Sequence, residues 1–150
     1  MGQRDRKNTL RTAAGVPDCL KTKVITFTLL PGFRWTVELY FHPNRQSASR
    51  HYGKLYPDDD RWFLGVTDCV EKGPLLARVL YYKEGFCIGV AAHEAAHVAL
   101  HFAVRSGLDL SQIASEELYA DVTATVVKNT LDNLPRGWHL TAHGNTSSSK

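Results

Sequence analysis

Residues 86–106 (FCIGVAAHEAAHVALHFAVRS) restrict the fold of this chain more than any other segment. They are rich in alanine, contain no proline and end before Gly107, which together predict an α-helix. The segment is apolar on nearly every side, and a helix of that kind lies near the centre of a domain. Four polar side chains interrupt it and need partners if they are buried: His93, Glu94, His97 and His101.

The sequence ahead of this helix has the pattern of β-structure. Residues 23–30 are rich in β-branched side chains and stop at a Pro-Gly turn, and residues 35–42 alternate between apolar and polar. Residues 61–70 and 75–83 have a similar character on either side of a turn at 71–74. These segments predict two β-hairpins.

The polar stretch 43–60 between the hairpins predicts a surface loop. It contains three consecutive acids at 58–60, but it lacks the glycine and the spaced oxygen ligands of a calcium-binding EF-hand loop. We therefore expect a solvated connection here and no calcium site.

A second helix follows the first. It can be capped by residues 109–112 or by Ser115, and it runs to about Leu134, where Pro135 stops it. Four strands followed by two helices predict an α+β domain. We expect a small, mostly antiparallel sheet packed against the first helix and its successor.

Length and composition fit a single domain. The chain has 150 residues, of which 43% are hydrophobic and 22% charged. We predict a flexible basic arm at 1–16, a folded domain at 17–139 and a disordered tail at 140–150. No apolar run approaches the roughly 20 residues of a membrane span, and the N-terminus lacks the apolar stretch of a secretory signal. We therefore expect a cytoplasmic protein with no membrane partner.

Charge and cysteine content add little about partners. The formal net charge is +3, and much of the positive charge lies in the first 23 residues. Such an arm is most often simply solvated, although it can contact nucleic acid or an acidic partner. The three cysteines are far apart and predict reduced thiols rather than disulfides or a zinc ribbon: Cys19, Cys69 and Cys87.

The motif His93-Glu94-Ala95-Ala96-His97 predicts a metal site. Residues four apart lie on one face of a helix, so both imidazoles can reach one zinc ion. Glu94 is rotated by roughly 100° from His93, which places its carboxylate beside the ion as a base for the water that zinc binds. The alternative is a pair of core histidines that bind no metal.

The second helix offers the remaining protein ligand. Catalytic zinc usually takes three protein ligands and leaves a fourth position to water. Glu117 and Asp121 share a face of that helix, so Glu117 can bind the metal while Asp121 accepts the outer N–H of a ligating histidine. The alternative is a solvated acidic turn at the start of a helix.

These residues resemble those of the gluzincin metallopeptidases, which include the thermolysin-like enzymes. That family carries HExxH and then, twenty residues after the second histidine in the thermolysin-like pattern, a glutamate followed four residues later by an aspartate. Counting from His97, these positions fall on Glu117 and Asp121. The resemblance covers roughly residues 86–131 and implies a minimal, single-domain zinc peptidase of the kind found among small stand-alone and phage-encoded enzymes.

Other zinc patterns fit less well. A metzincin-like site would need a glycine and a histidine where this chain has Leu100 and Ala103. His101 lies two helical turns, about 12 Å, from His93, too far for both to bind one ion. We expect His101 to be a core residue or a partner of a ligand. Asp109 is a weaker alternative to Glu117.

The resemblance also implies two features that the sequence does not fix. In larger relatives a tyrosine or histidine after the glutamate helix stabilises the oxyanion, and here the candidates are Tyr119, His139 and His143. None stands at a matching position. A strand ahead of the active helix usually pairs with extended substrate, and residues 75–83 are the candidate.

The sequence thus favours a zinc metallopeptidase that hydrolyses peptide bonds in a peptide or protein substrate. The main alternative is a zinc-bound binding or inhibitory protein on the same scaffold, which would recognise an acidic partner or nucleic acid through its basic arm. The least favoured reading is a domain in which HExxH arose by chance.

Overall fold

The computed structural model describes residues 21–140. The predicted arm at 1–16 and nearly all of the predicted tail at 140–150 lie outside the described residues. Within the described part of the chain, no helix has both the length and the apolar character that a membrane crossing requires.

A four-stranded sheet and three helices build the described part, which confirms the α+β class. In chain order the elements are β1 (Lys23–Thr28), β2 (Thr36–His42), α1 (Arg45–Leu55), β3 (Gly65–Cys69), β4 (Leu75–Tyr82), α2 (Ile88–Ser106) and α3 (Ile113–Asp132).

Both predicted hairpins are present. Strand β1 pairs antiparallel with β2, with Val24 opposite Tyr40. Strand β3 pairs antiparallel with β4, with Thr67 opposite Val79. Strands β2 and β4 keep the predicted bounds to within one residue, whereas β1 ends two residues earlier and β3 begins four residues later than predicted.

The sheet as a whole is mixed, so the prediction of a mostly antiparallel sheet was wrong. Its strand order is β1-β2-β4-β3, and β4 runs parallel to β2. After β2 the chain crosses through α1 to form β3 at the edge of the sheet. It then turns back, and β4 fills the place between β2 and β3.

Helix α1 lies within the stretch that we expected to be a loop. Its N-cap is Asn44, whose side chain accepts a 2.9 Å hydrogen bond from the backbone N–H of Ser47. Only Ala48 and Tyr52 of this helix are buried. Such a narrow apolar stripe is hidden in a polar sequence, which explains why periodicity did not reveal it.

The sheet has a helix on each face. Thr67 and Asp68 are neighbours on β3 and therefore point to opposite faces. Thr67 hydrogen-bonds to Glu94 of α2, whereas Asp68 accepts a hydrogen bond from Tyr56 at the end of α1. On the α1 face Asp68 also forms an ion pair with Arg78 of β4.

Helix α2 forms the centre of the larger core, as its composition predicts. Val98, Ala99 and Phe102 are fully buried, and α3 adds Val122 and Val126 to the same cluster. One stripe of α2 nevertheless faces outward, and it includes His93, His97, Leu100 and Val104. The helix is therefore central, yet it is not buried on every side.

The ends of the two long helices differ from each other. Gly107 ends α2 in the left-handed conformation, with φ of 65°, which glycine adopts at little cost. Helix α3 begins after Gln112, whose side chain makes no capping bond. The N-cap position thus falls within the predicted stretch 109–112, but neither Asp109 nor Ser115 caps the helix, and the Asp109 carboxylate instead accepts hydrogen bonds from Ser111.

Candidate metal centre

The imidazoles of His93 and His97 meet on the exposed stripe of α2. Their Nε2 atoms are 3.1 Å apart. Two nitrogens held at 2.0–2.1 Å from one tetrahedral zinc ion would lie about 3.3 Å apart. The two rings thus present their nitrogens at nearly the spacing that a shared zinc ion requires, although one N–H···N hydrogen bond has a similar length.

Glu94 lies beside this pair and is buried. Only 3% of its surface is exposed, whereas both histidines are exposed. Its Oε2 accepts a 2.7 Å hydrogen bond from the hydroxyl of Thr67. Burial raises the pKa of the carboxyl above its ordinary value, while the Thr67 hydrogen bond and the two histidines act in the opposite direction.

Gly65 lets strand β3 approach α2 at this point. A Cβ atom on Gly65 would lie 2.7 Å from Cγ1 of Val90 and 3.1 Å from Cγ of Glu94. Any side chain here would therefore push strand and helix apart. The Gly65–Thr67 segment holds Glu94 by a close backbone approach at one end and a hydrogen bond at the other.

The three motif side chains line an open cleft of about 300 Å³. The opposite wall comes from α1 and from the segment that leads into β3, and it includes Tyr52, Arg61 and Trp62. A second cavity of about 530 Å³ extends from His93 and Glu94 along the start of α2 to Cys87. The motif therefore faces a trough on the protein surface.

The structure does not bring Glu117 into this group. Within residues 21–140, no three or more His, Cys, Asp or Glu side chains lie together as a metal-binding set. Glu117 and Asp121 are exposed. Glu117 is nine residues, or about two and a half helical turns, from the buried Val126, so it lies on the opposite, outer side of α3.

His101 occupies the core, as expected. It is 8% exposed, and its Nε2 donates a 2.9 Å hydrogen bond to the carbonyl of Val70. Asp109, the weaker ligand candidate, is exposed and bonded to Ser111 in the connection between the helices. Neither lines the cleft around the motif.

Two of the three predicted oxyanion donors, Tyr119 and His139, also lie away from the cleft lining. The Tyr119 hydroxyl donates to the carbonyl of Ala96 at 3.4 Å, and its contact is with the backbone of α2. His139 is exposed beyond the end of α3, and His143 lies outside the described residues. Neither Tyr119 nor His139 is among the described residues that line the cleft.

Sequence reasoning missed the cleft residues Tyr52, Arg61 and Thr67. The guanidinium of Arg61 forms an ion pair with Asp59 at 2.6 Å and donates to the Tyr52 hydroxyl at 3.3 Å. The only usable signal was in β3, where Gly65 and Thr67 give a strand face with small side chains next to the helix. Nothing in the sequence relates residues 52 and 61 to the motif.

The structure also corrects the expected substrate strand. All but the last of residues 75–83 form β4, which is paired on both sides, with β2 and with β3. It therefore offers no edge to an extended peptide. The edge strand beside the motif is β3, which pairs only with β4 among the described strands.

Comparisons of the chain with models of protein families, with curated proteins and with solved structures find no match. The likeness to gluzincin-like peptidases therefore depends on the motif residues themselves.

Proposed function

We propose that this protein is a zinc-dependent peptidase in which His93 and His97 hold the ion and Glu94 is the general base. The observation that carries the proposal is the meeting of two imidazole nitrogens, 3.1 Å apart, beside a buried carboxylate in an open cleft. Neutral imidazole nitrogen is a preferred zinc ligand, so the donor set suits this metal.

The bound metal supplies Lewis acidity, since it polarises the scissile carbonyl and lowers the pKa of a water molecule. Glu94 takes a proton from that water and returns it to the leaving amine. Thr67 fixes the carboxylate for this task by its 2.7 Å hydrogen bond to Oε2. Of the two carboxylate oxygens, Oε1 carries the proton, because Oε2 already accepts from Thr67.

The third protein ligand is the part of the proposal that depends on sequence alone. Glu117 has the spacing from His97 that the gluzincin-like pattern requires, and Asp121 follows it as a partner for a ligating histidine. For Glu117 to reach the ion, the first turn of α3 must rotate towards α2. Substitution of this residue is therefore a separate test from substitution of the histidines.

Strand β3 is the surface on which substrate binds in this proposal. An extended peptide can add to its outer edge through main-chain hydrogen bonds and so cross the cleft next to His93 and Glu94. Arg61 lines the same cleft, and although its guanidinium pairs with Asp59, it carries more N–H donors than that ion pair uses, so it is our candidate for the group that stabilises the oxyanion. It replaces Tyr119 and His139 in that role because neither of them lines the cleft.

The experiment compares zinc content and peptide cleavage in four proteins: wild type, His93→Ala, His97→Ala and Glu94→Gln. We expect about one zinc per wild-type chain, loss of zinc in both alanine variants, and retained zinc without cleavage in Glu94→Gln. Cleavage is read by mass spectrometry on a mixed peptide library. A wild-type chain that binds no zinc would refute the metal site.

The alternative, a zinc-bound protein that recognises a partner without cleaving it, gives a different result. The wild-type chain would then hold zinc but leave the whole library intact, and Glu94→Gln would have no effect on any measured property of the site. The same four proteins therefore decide between the two functions.

A further inference from the structure

A basic groove lies at the end of the sheet where β1 begins and β4 ends. Its volume is about 480 Å³, which is within the range of ligand pockets. Its described lining has four cationic side chains and no carboxylate. The four cations that define the basic groove are Lys21, Lys23, Lys83 and Arg136.

Most of this positive charge is not neutralised within the described chain. Among residues 21–140, Lys23, Lys83 and Arg136 form no ion pair with a carboxylate. The Lys23 ammonium donates to the backbone carbonyl of Asn133 at 2.8 Å, which orients it without cancelling its charge. Clustered like charges of this kind raise the local concentration of an oppositely charged ligand.

The basic groove is connected to the candidate metal centre through the start of α2. The Trp138 ring, which lines the groove, contacts the ring of Phe86 with centroids 5.3 Å apart. The next residue, Cys87, lines the cavity that leads to His93 and Glu94. The basic groove and the cavity beside the motif thus both adjoin the segment that leads into α2, on either side of the buried Phe86.

We propose that the basic groove binds an acidic segment of the protein substrate, at a distance from the bond that is cleaved. This inference rests on the proposed peptidase function, because it assigns the substrate a chemical class. Substrates would carry clustered Asp or Glu side chains that pair with Lys83 and Arg136. Such pairing would add affinity and specificity without contributing to the chemistry at Glu94.

An acidic peptide fits the groove better than single-stranded nucleic acid does. Proteins that bind single strands combine positive charge with aromatic rings that are open for base stacking. Here the Trp138 ring packs against Phe41 as well as Phe86, with centroids 5.6 and 5.3 Å apart. Phe41 is buried and Trp138 is half-buried against the core, so the described lining offers at most one partly open ring for stacking.

The test measures binding, so that it does not depend on activity. Full-length Glu94→Gln protein is titrated into a fluorescently labelled hexaglutamate peptide, and anisotropy reports the affinity. The double variant Lys83→Gln/Arg136→Gln removes two exposed charges, and its matched control is Arg34→Gln/Lys54→Gln, which removes two exposed charges elsewhere. Circular dichroism checks that both variants are folded.

We expect the groove variant to weaken hexaglutamate binding by about tenfold or more and the control by less than about twofold. A hexaglutamine peptide should not bind, and added salt should weaken hexaglutamate binding. Equal losses in both double variants, or equal binding of hexaglutamine, would overturn the proposal. Tighter binding of an oligo(dT) probe than of hexaglutamate, together with loss of that binding in the groove variant, would also overturn the proposal. The groove would then bind nucleic acid.

Failure here is distinguishable from failure of the peptidase function. If hexaglutamate binds as expected while wild type cleaves nothing, the groove is confirmed and the peptidase is refuted. If wild type cleaves acidic and neutral peptides equally and hexaglutamate does not bind, the groove is refuted and the peptidase stands.

Discussion

The hydroxyl of Thr67 on the edge strand donates a 2.7 Å hydrogen bond to the carboxylate of Glu94, and it also lies 3.2 Å from the backbone carbonyl of Glu94. A buried carboxylate would otherwise lack a partner on that side. The strand therefore sets the orientation of the residue that the proposed chemistry depends on, although it supplies no reacting group.

Replacement of Thr67 by valine should lower kcat about tenfold with little change in KM or zinc content. Valine keeps the shape of the side chain but cannot donate, so Glu94 loses its fixed orientation while the histidines remain. Thr67→Ser, which keeps the hydroxyl, should retain most of the activity. Equal activity of Thr67→Val and wild type would show that the hydrogen bond has no role in positioning.

Gly65→Ala should destabilise the protein by about 1–3 kcal/mol, because a Cβ at this position would lie 2.7 Å from Val90 Cγ1. The strand must then move away from α2, and the contact between Thr67 and Glu94 lengthens. Urea unfolding measures the loss of stability. Gly53→Ala is the matched control, since a Cβ there meets nothing within 4 Å, and it should not be destabilising. An unfolding free energy that is unchanged in Gly65→Ala would contradict the close approach.

Glu117→Gln should weaken zinc binding by at least about tenfold if α3 contributes the third ligand as proposed. Loss of an outer partner of a ligand costs about 10–100-fold in metal affinity, and loss of a ligand itself costs no less. Glu116→Gln is the control, since it removes the neighbouring charge. Competition with a chromogenic chelator gives both affinities. If Glu117→Gln binds zinc as tightly as wild type does, this residue is not a ligand, and only the two histidines remain in the proposed set.

Stability should fall by about 2 kcal/mol between pH 7 and pH 4.5 because of His42. Burial, and to a lesser extent the neighbouring His51, lower the pKa of His42 to about 4. Between that value and the ordinary pKa of about 6.5 the unfolded chain binds a proton that the folded chain does not, so acid favours unfolding. The free energy of unfolding that depends on neutral His42 is fully present above pH 6.5 and is lost as the pH falls towards 4.

Urea unfolding at several pH values measures this effect. His42→Gln should reduce the slope of stability against pH in that window, whatever its effect at pH 7. His139→Gln, which changes an exposed histidine, should leave the slope unaltered. A slope that is the same in wild type and His42→Gln would show that another group is responsible.

Local patterns predicted the local structure well. The alternation at 35–42 predicted β2 nearly to the residue through its period. The run at 86–106 predicted α2 as closely, because it is rich in alanine, lacks proline and ends at Gly107. The place of β4 in the sheet could not be predicted in this way. Strand order depends on how α1 carries the chain across the sheet, and the two buried residues of α1 leave almost no trace in the sequence.

In the candidate site, too, the sequence predicted what lies within one helix and missed what depends on how separate segments pack. The spacing of His93, Glu94 and His97 predicts side chains that meet, since one helix fixes all three. Glu117 depends on the rotation of a second helix, which spacing along the chain does not determine. The cleft wall around Arg61 depends on the path of a connection with no period at all.

The far wall of the cleft comes entirely from the connection between β2 and β3, whereas the histidines and Glu94 belong to α2. Changes of length or composition in that connection can therefore reshape what the cleft accepts and leave the helix that carries the motif untouched. Exchange of this one segment is accordingly the most direct route to a protein with the same candidate metal centre and a different choice of target.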